Sequence, residues 1–269
     1  MSDGLIESSS CYNCGASLTG PFCAACGQKA GPLDPTLHDF AHDFSHEMLH
    51  VDGRIFRSVW KLISAPGFLT REMFADRRAA YVSPLRLYLF FSVLFFAAFA
   101  LAPSLLRISY TPDSGETIDP AFVAQQSKEI RAAANDALNV WLPRVMFVLM
   151  PIFAALVMLV RRRSGHNYPQ HLYFAMHVHA VAFGAGVLIV LANLVVVPYV
   201  SQAVKIGGVV FVLGHSALAF RAAYGTGIWG TLWRTAVVTA AYWLITILAL
   251  LAIWLPAILP IISRRPEGG

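Results

Sequence analysis

Five stretches without a single Asp, Glu, Lys or Arg dominate the pattern of this chain: Leu87 to Leu106, Val145 to Val160, Leu172 to Val204, Ile206 to Phe220 and Thr235 to Ser263. A helix needs about 20 residues to cross a hydrocarbon core of about 30 Å. The pattern predicts an all-α polytopic membrane protein with about five transmembrane helices, at 84–106, 139–160, 171–197, 200–221 and 231–262, within a transmembrane domain of residues 84–263. Ser83-Pro84 opens the first span, Ser at the cap and Pro at the first helical position, where its missing N–H costs nothing. Pro256 and Pro260 make the last stretch a candidate for a kink or a re-entrant turn.

Between residues 36 and 82 the period changes. Thr36 can cap a helix whose Leu37, Phe40, Ala41, Phe44 and Met48 share one face. Arg54 to Ile63 mixes Ile55, Phe56, Val59, Trp60 and Leu62 with Arg54, Arg57 and Lys61, and stops at Ala65-Pro66-Gly67. A third segment, Phe68 to Tyr81, carries Arg71, Arg77 and Arg78. Basic residues beside aromatics at helical spacing suit cytosolic helices lying in the headgroup layer, with membrane lipids as partners. A solvated face is the competing reading.

Composition sharpens the class. The chain has 269 residues, 57% apolar and 13% charged, and its mean hydropathy is +0.60, which excludes a soluble globular enzyme. The 20 Lys and Arg against 15 acids serve topology rather than nucleic acid, which is not expected as a partner. From Asp52 to Arg86 there are seven bases and three acids, whereas Arg107 to Leu138 has three bases and five acids. By the positive-inside rule the first segment is cytosolic and the second external. Arg161, Arg162 and Arg163 return the chain to the cytosol, and five spans then leave the C-terminus outside, although Arg264 and Arg265 oppose that. Met1 to Ser10 lacks the pattern of a cleaved signal, so the N-terminus is expected in the cytosol.

The four cysteines occupy 16 residues, as Cys11-x2-Cys14-Gly15 and Cys23-x2-Cys26-Gly27. Each knuckle supplies two thiolates from one tight turn, and the following Gly lets the backbone bend around a metal. Unpaired thiols or a redox pair are the alternatives, but no βαβ pattern surrounds the knuckles. Residues 11–28 are therefore read as a zinc ribbon with structural zinc on Cys11, Cys14, Cys23 and Cys26. It is expected to be an independent module that shares no core with the spans.

Those knuckles, Phe22 and Gln28-Lys29, a His-rich amphipathic stretch ending His50-Val51-Asp52, Ala65-Pro66-Gly67, and Tyr81-Val82-Ser83-Pro84-Leu85-Arg86 come in that order. The chain thereby resembles an uncharacterised bacterial membrane family, a domain of unknown function with an N-terminal four-cysteine zinc ribbon and several spans. The resemblance implies a multi-pass protein of the bacterial inner (cytoplasmic) membrane with a zinc site. It implies no activity.

Histidine is the second signal. His38, His42, His46 and His50 recur every four residues, opposite the apolar ridge of their helix, as a solvated face or as metal ligands. His46-Glu47-Met48-Leu49-His50 fits H-E-x-x-H, a short motif without the third ligand or large domain a zinc peptidase needs. His171, His177, His179 and His215 fall inside or at the mouth of spans, near one membrane face. An ionisable group there is a functional hypothesis, and helix-to-helix hydrogen bonding is the plain alternative. With His42, His46 and His50 they form the candidate set for a second metal ion. Gly184, Gly186, Gly207, Gly208 and Gly214 are expected to allow close helix packing.

No P-loop, dinucleotide fingerprint or nucleophile elbow occurs. No catalytic residue is assigned, and the balance leans against an enzyme. The expected role is a cytosolic recruitment or sensing ribbon, with a cytosolic protein partner, on a membrane-anchored scaffold or transport-assisting bundle. The alternative is a metal-dependent membrane enzyme acting on a lipid or other apolar substrate through the clustered histidines.

Overall fold

The computed structural model describes residues 10–30, 53–101, 120–195 and 198–264. The amphipathic segment with His38, His42, His46 and His50, the H-E-x-x-H motif, and residues 102–119 and 265–269 lie outside them. All regular elements among the described residues are helical: α1 (Arg54–Ser64), α2 (Phe68–Phe74), α3 (Pro84–Ala100), α4 (Pro120–Asp136), a π-helical turn (Ala137–Trp141), α5 (Leu142–Val160), α6 (Tyr168–Val195), α7 (Pro198–Tyr224) and α8 (Ile228–Ile262). Four helical runs are long and apolar enough to cross a membrane: 120–160, 168–194, 200–224 and 228–262. The apolar α3 has 17 residues, about 25 Å of helix at 1.5 Å per residue.

Helix α6 stands at the centre, packed against α3, α5, α7 and the α1–α2 hairpin. Phe174, Ala175, Met176 and Val181 on α6 join Leu87 and Tyr88 of α3, Phe153 and Val157 of α5 and Phe220 of α7 in one buried cluster. Close approach of α3 depends on Gly184 and Gly186, where a Cβ would meet Phe91 at 3.2 Å and Phe95 at 2.7 Å. Gly208 of α7 likewise admits Ile189 at 2.8 Å, but Gly207 and Gly214 have no neighbour within 4 Å. The packing role expected of those two glycines is not seen.

The hairpin is set by Pro66 and Gly67. Gly67 adopts φ 76°, and a Cβ there would lie 2.5 Å from the Ala219 carbonyl oxygen, so α2 meets the backbone of α7 directly. Fully buried Ser58 donates to the Arg54 carbonyl (2.9 Å) and accepts from the Val82 N–H (2.9 Å), which ties α1 to the entry of α3. At that entry the Ser83 hydroxyl accepts from the Arg86 N–H. Helix α2 ends at Phe74, short of the segment expected to reach Tyr81, because Asp76 turns into the left-handed region at φ 56°. Phe56, Trp60 and Ile63 form an exposed apolar stripe on α1, opposite its buried Ser58 and Leu62.

Two helices overhang the bundle. The run 120–160 is unbroken over 41 residues, about 60 Å, twice a hydrocarbon core. Its first part pairs with the far end of α8, where Gln126 Nε2 donates to the Ile261 carbonyl (2.7 Å) and Arg264 bridges Glu129 (2.7 Å). The region read as an external loop is therefore partly helical. The π-turn precedes Pro143, which has no N–H for the Asn139 carbonyl, and the widened turn absorbs that defect. Helix α8 runs through Pro256 and Pro260 without re-entering.

A candidate metal centre and the histidine-bearing helices

The two knuckles repeat one conformation. Cys11 N–H bonds the Ala16 carbonyl and Gly15 N–H the Cys11 carbonyl; Cys23 N–H bonds the Gln28 carbonyl and Gly27 N–H the Cys23 carbonyl, all at 2.8 Å. Gly15 (φ 74°) and Gly27 (φ 73°) take the left-handed position that closes each turn. Isolated antiparallel bridges, Ser10 to Ser17 and Phe22 to Lys29, flank them.

The turns bring the four Sγ atoms within 4.8 Å of one another. Cys11 and Cys26 stand 3.6 Å apart, Cys14 and Cys23 3.5 Å. Sulfurs at about 2.3 Å from a tetrahedral ion would sit about 3.8 Å apart. The site thus fits a metal ion closely, and it is the one group of three or more His, Cys, Asp or Glu among the described residues arranged to do so. As free thiols Cys14 and Cys23 titrate unequally. The Cys26 and Ala25 N–H groups draw Cys23 down to about 7. For Cys14 the Ala16 N–H pulls down, but the thiols of Cys23 and Cys26, then burial, push it up to about 12. A bound cation would displace those shared protons.

The ribbon is not free of the bundle. Gln28, buried directly after the second knuckle, donates from Nε2 to the Asp76 carbonyl. Its Oε1 accepts from the Arg78 N–H (3.1 Å) and the Ala79 N–H (3.3 Å). One side chain therefore completes the turn between α2 and α3, and the attachment is polar rather than a shared apolar core. The sequence marks Gln28 only as part of the motif that follows the second knuckle, and nothing in it assigns the residue a docking role.

Each described span histidine is bonded to a protein group. His171 Nδ1 meets the Tyr224 hydroxyl at 2.8 Å. His177 Nδ1 meets the Thr70 hydroxyl of α2 at 2.9 Å. His179 Nδ1 donates to the Ala175 carbonyl (2.8 Å), which leaves Nε2 to accept from the Tyr242 hydroxyl of α8 (2.7 Å). Both ring nitrogens are then used, so this ring has no free lone pair for a metal. His215 Nε2 donates to the Leu62 carbonyl at 2.9 Å. That carbonyl needs a donor because the residue four ahead is Pro66, which has no N–H.

His179 and His215 thus face different partners, whereas His177 and His215 line one small cavity of about 10 Å³ with Leu62, Thr70 and Ala219. Their remaining nitrogens, His177 Nε2 and His215 Nδ1, are buried without a protein partner. The cavity is just large enough for one water between the two rings, which would accept from one and donate to the other. His42, His46 and His50 lie outside the described residues.

The ribbon, the hairpin and the loops 161–167 and 225–227 gather at one end of the bundle. The rings of Phe74 and His166 meet at a tilt of 40°, centroids 4.2 Å apart, and Arg161 Nη2 donates to the Tyr224 carbonyl (3.3 Å).

Residues 52–96 match the model of a protein family of unknown function (DUF3667). The matched part is the hairpin and most of α3, the surface on which Gln28 docks; it excludes the four cysteines and α4 to α8. No curated protein and no solved structure matches the chain.

Proposed function

We propose that the chain is a multi-pass protein of the bacterial cytoplasmic membrane whose cysteine ribbon binds structural zinc and serves as a cytosolic recruitment or sensing module on a membrane-anchored scaffold. Four thiolates at tetrahedral spacing are the donor set that zinc takes in closed sites. The N-terminus is cytosolic in this reading because the ribbon end also carries Arg161, Arg162, Arg163, Arg221 and Arg234. Zinc and lipid are the ligands of this reading, and a cytosolic protein is the partner.

The observation that carries the proposal is Gln28. Three hydrogen bonds from one residue join the metal-organised turn to the backbone at Asp76, Arg78 and Ala79. Loading of the ribbon is then felt where the hairpin enters the membrane helices, which is what a sensing or recruitment platform requires.

Amide exchange on the full-length protein in micelles tests this. Chelation should speed exchange at Arg78 and Ala79, and Gln28→Ala should do the same with metal bound. Unchanged protection in both cases would sink the coupling. Metal analysis of the same sample should return one zinc per chain; two or more would favour the metal-dependent enzyme instead.

A further inference from the structure

The 161–166 loop joins α5 to α6 at the ribbon end and carries Arg161, Arg162 and Arg163 in succession. Among the described residues none of these arginines, nor Arg234, is in an ion pair. Three polar atoms of the loop are buried without a protein partner: Arg161 Nε, Ser164 Oγ and His166 Nδ1. Burial, and then Arg234, hold Arg161 below the usual guanidinium range, and burial, and then Arg161, hold His166 below the usual imidazole range. The positive charge of this loop thus has no acidic partner among the described residues, and these three buried atoms have no protein partner.

Below the loop runs an open groove of about 530 Å³ along α5, lined by Ile152, Leu156, Met158 and Leu159 and closed at its head by Arg162 and His166. No acidic residue lines it. From Ile152 to its end at Val160 the helix rises about 12 Å. An apolar channel of that length on the lipid-facing side of a span, capped at the membrane boundary by the Arg162 guanidinium beside a neutral His166, has the polarity of a phospholipid.

The geometry points to a binding site for an anionic glycerophospholipid, with one acyl chain along the α5 groove and the phosphate at the 161–166 loop. Arg162 supplies the charge at the rim, and His166, whose Nδ1 is buried without a protein partner, stands beside it at the head of the groove where a phosphate oxygen would sit. Basic pockets at the cytosolic ends of spans select anionic headgroups for the same reason. The inference rests on the reading of the chain as membrane-spanning, and it adds a specific ligand to that reading. It also places the ligand beside the platform: His166 packs on Phe74, the last residue of α2, just ahead of the turn that Gln28 holds.

Native mass spectrometry of the full-length protein in detergent is the test, with phosphatidylglycerol, phosphatidylcholine and inorganic phosphate as probes. Phosphatidylglycerol should bind about tenfold more tightly than phosphatidylcholine, and millimolar phosphate should not displace it. The double variant Arg162→Ala, His166→Ala should lose about that factor. Ala155→Trp should lose it too, because it fills the groove from an exposed position and leaves every charge in place.

Equal binding of the two lipids, or unchanged binding in both variants, overturns the site. Phosphate competing as strongly as the lipid overturns the groove and assigns the loop to a soluble phosphate. Failure of the chain to fractionate with membranes would overturn the underlying membrane reading instead, and is read separately from lipid preference.

Discussion

Helices α6 and α8 carry equivalent sequence signals and have opposite surroundings. Each carries a long charge-free apolar run, α8 from Thr235 onward, and α8 is the more hydrophobic, with hydropathy 2.6 against 2.0. Yet 61% of the α6 window is buried inside the protein and only 6% of the α8 window. The difference lies in the polar residues. Helix α6 carries His171, His177 and His179, and their partners come from α7, α2 and α8. The threonines of α8 bond back to their own helix, as Thr235 does to Thr231 and Thr246 to Tyr242. Lipid offers no hydrogen bonds, so a polar side chain that reaches outward must reach another helix. Polarity, more than apolarity, marks the central helix.

Among the polar contacts, the largest effect should come from removing the one that joins the two helices. His179 lies edge-on between Phe153 (5.3 Å) and Tyr242 (5.5 Å), and its ring is hydrogen-bonded at both nitrogens. His179→Ala leaves a cavity there and a Tyr242 hydroxyl without its acceptor, together about 3 kcal/mol. Thermal or denaturant unfolding in micelles checks it. A loss below about 1 kcal/mol would mean that the α6 and α8 contact contributes little, and the contrast drawn above would fail.

The contrast also explains what could be read in advance. The predicted spans 139–160, 171–197, 200–221 and 231–262 overlap α5, α6, α7 and α8, since in lipid apolarity and length are the requirement itself. Ser83-Pro84 and the knuckle glycines were equally legible because the backbone needs them locally. The helix Pro120–Asp136 was not. Its buried residues Gln126, Ile130 and Ala134 recur every four positions, but five acids and three bases from Arg107 to Leu138 read as a loop, and the face is completed by the end of α8. Docking of Gln28 and the pairing of His215 with Leu62 are tertiary facts, and in hindsight only Pro66 hinted at the second. The histidine stripe at 38–50 lies outside the described residues.

A smaller effect sharpens the role of histidine as helix glue. His215→Ala removes the donor to the Leu62 carbonyl, buried behind Pro66, at a cost of about 1–2 kcal/mol. His215→Gln keeps a side-chain N–H and should restore more than half of that stability. Comparison of the two variants by unfolding, with proteolysis after Lys61 as a probe of hairpin release, separates a hydrogen-bond role from simple packing. Equal loss in both would assign the site to shape alone.

The smallest effect belongs to the outer face of α8. Leu248 and Leu251 are exposed at 56% and 45%, and in a bilayer their neighbours are acyl chains as apolar as leucine itself. Truncation then removes no water-to-oil transfer, because the side chain contacts hydrocarbon in the folded and in the membrane-inserted unfolded state. Leu248→Ala and Leu251→Ala should each change stability by less than about 0.5 kcal/mol, within the range of ordinary surface substitutions. The same truncation at Leu87 of α3, which is fully buried against the core, should cost about 2–5 kcal/mol, so the pair calibrates the measurement. A loss above about 1 kcal/mol at Leu248 has one physical source, a packed neighbour on that face that empties when the side chain is cut. Such a result would show that α8 is covered by another chain in the membrane, and the comparison with α6 would become one between two buried helices.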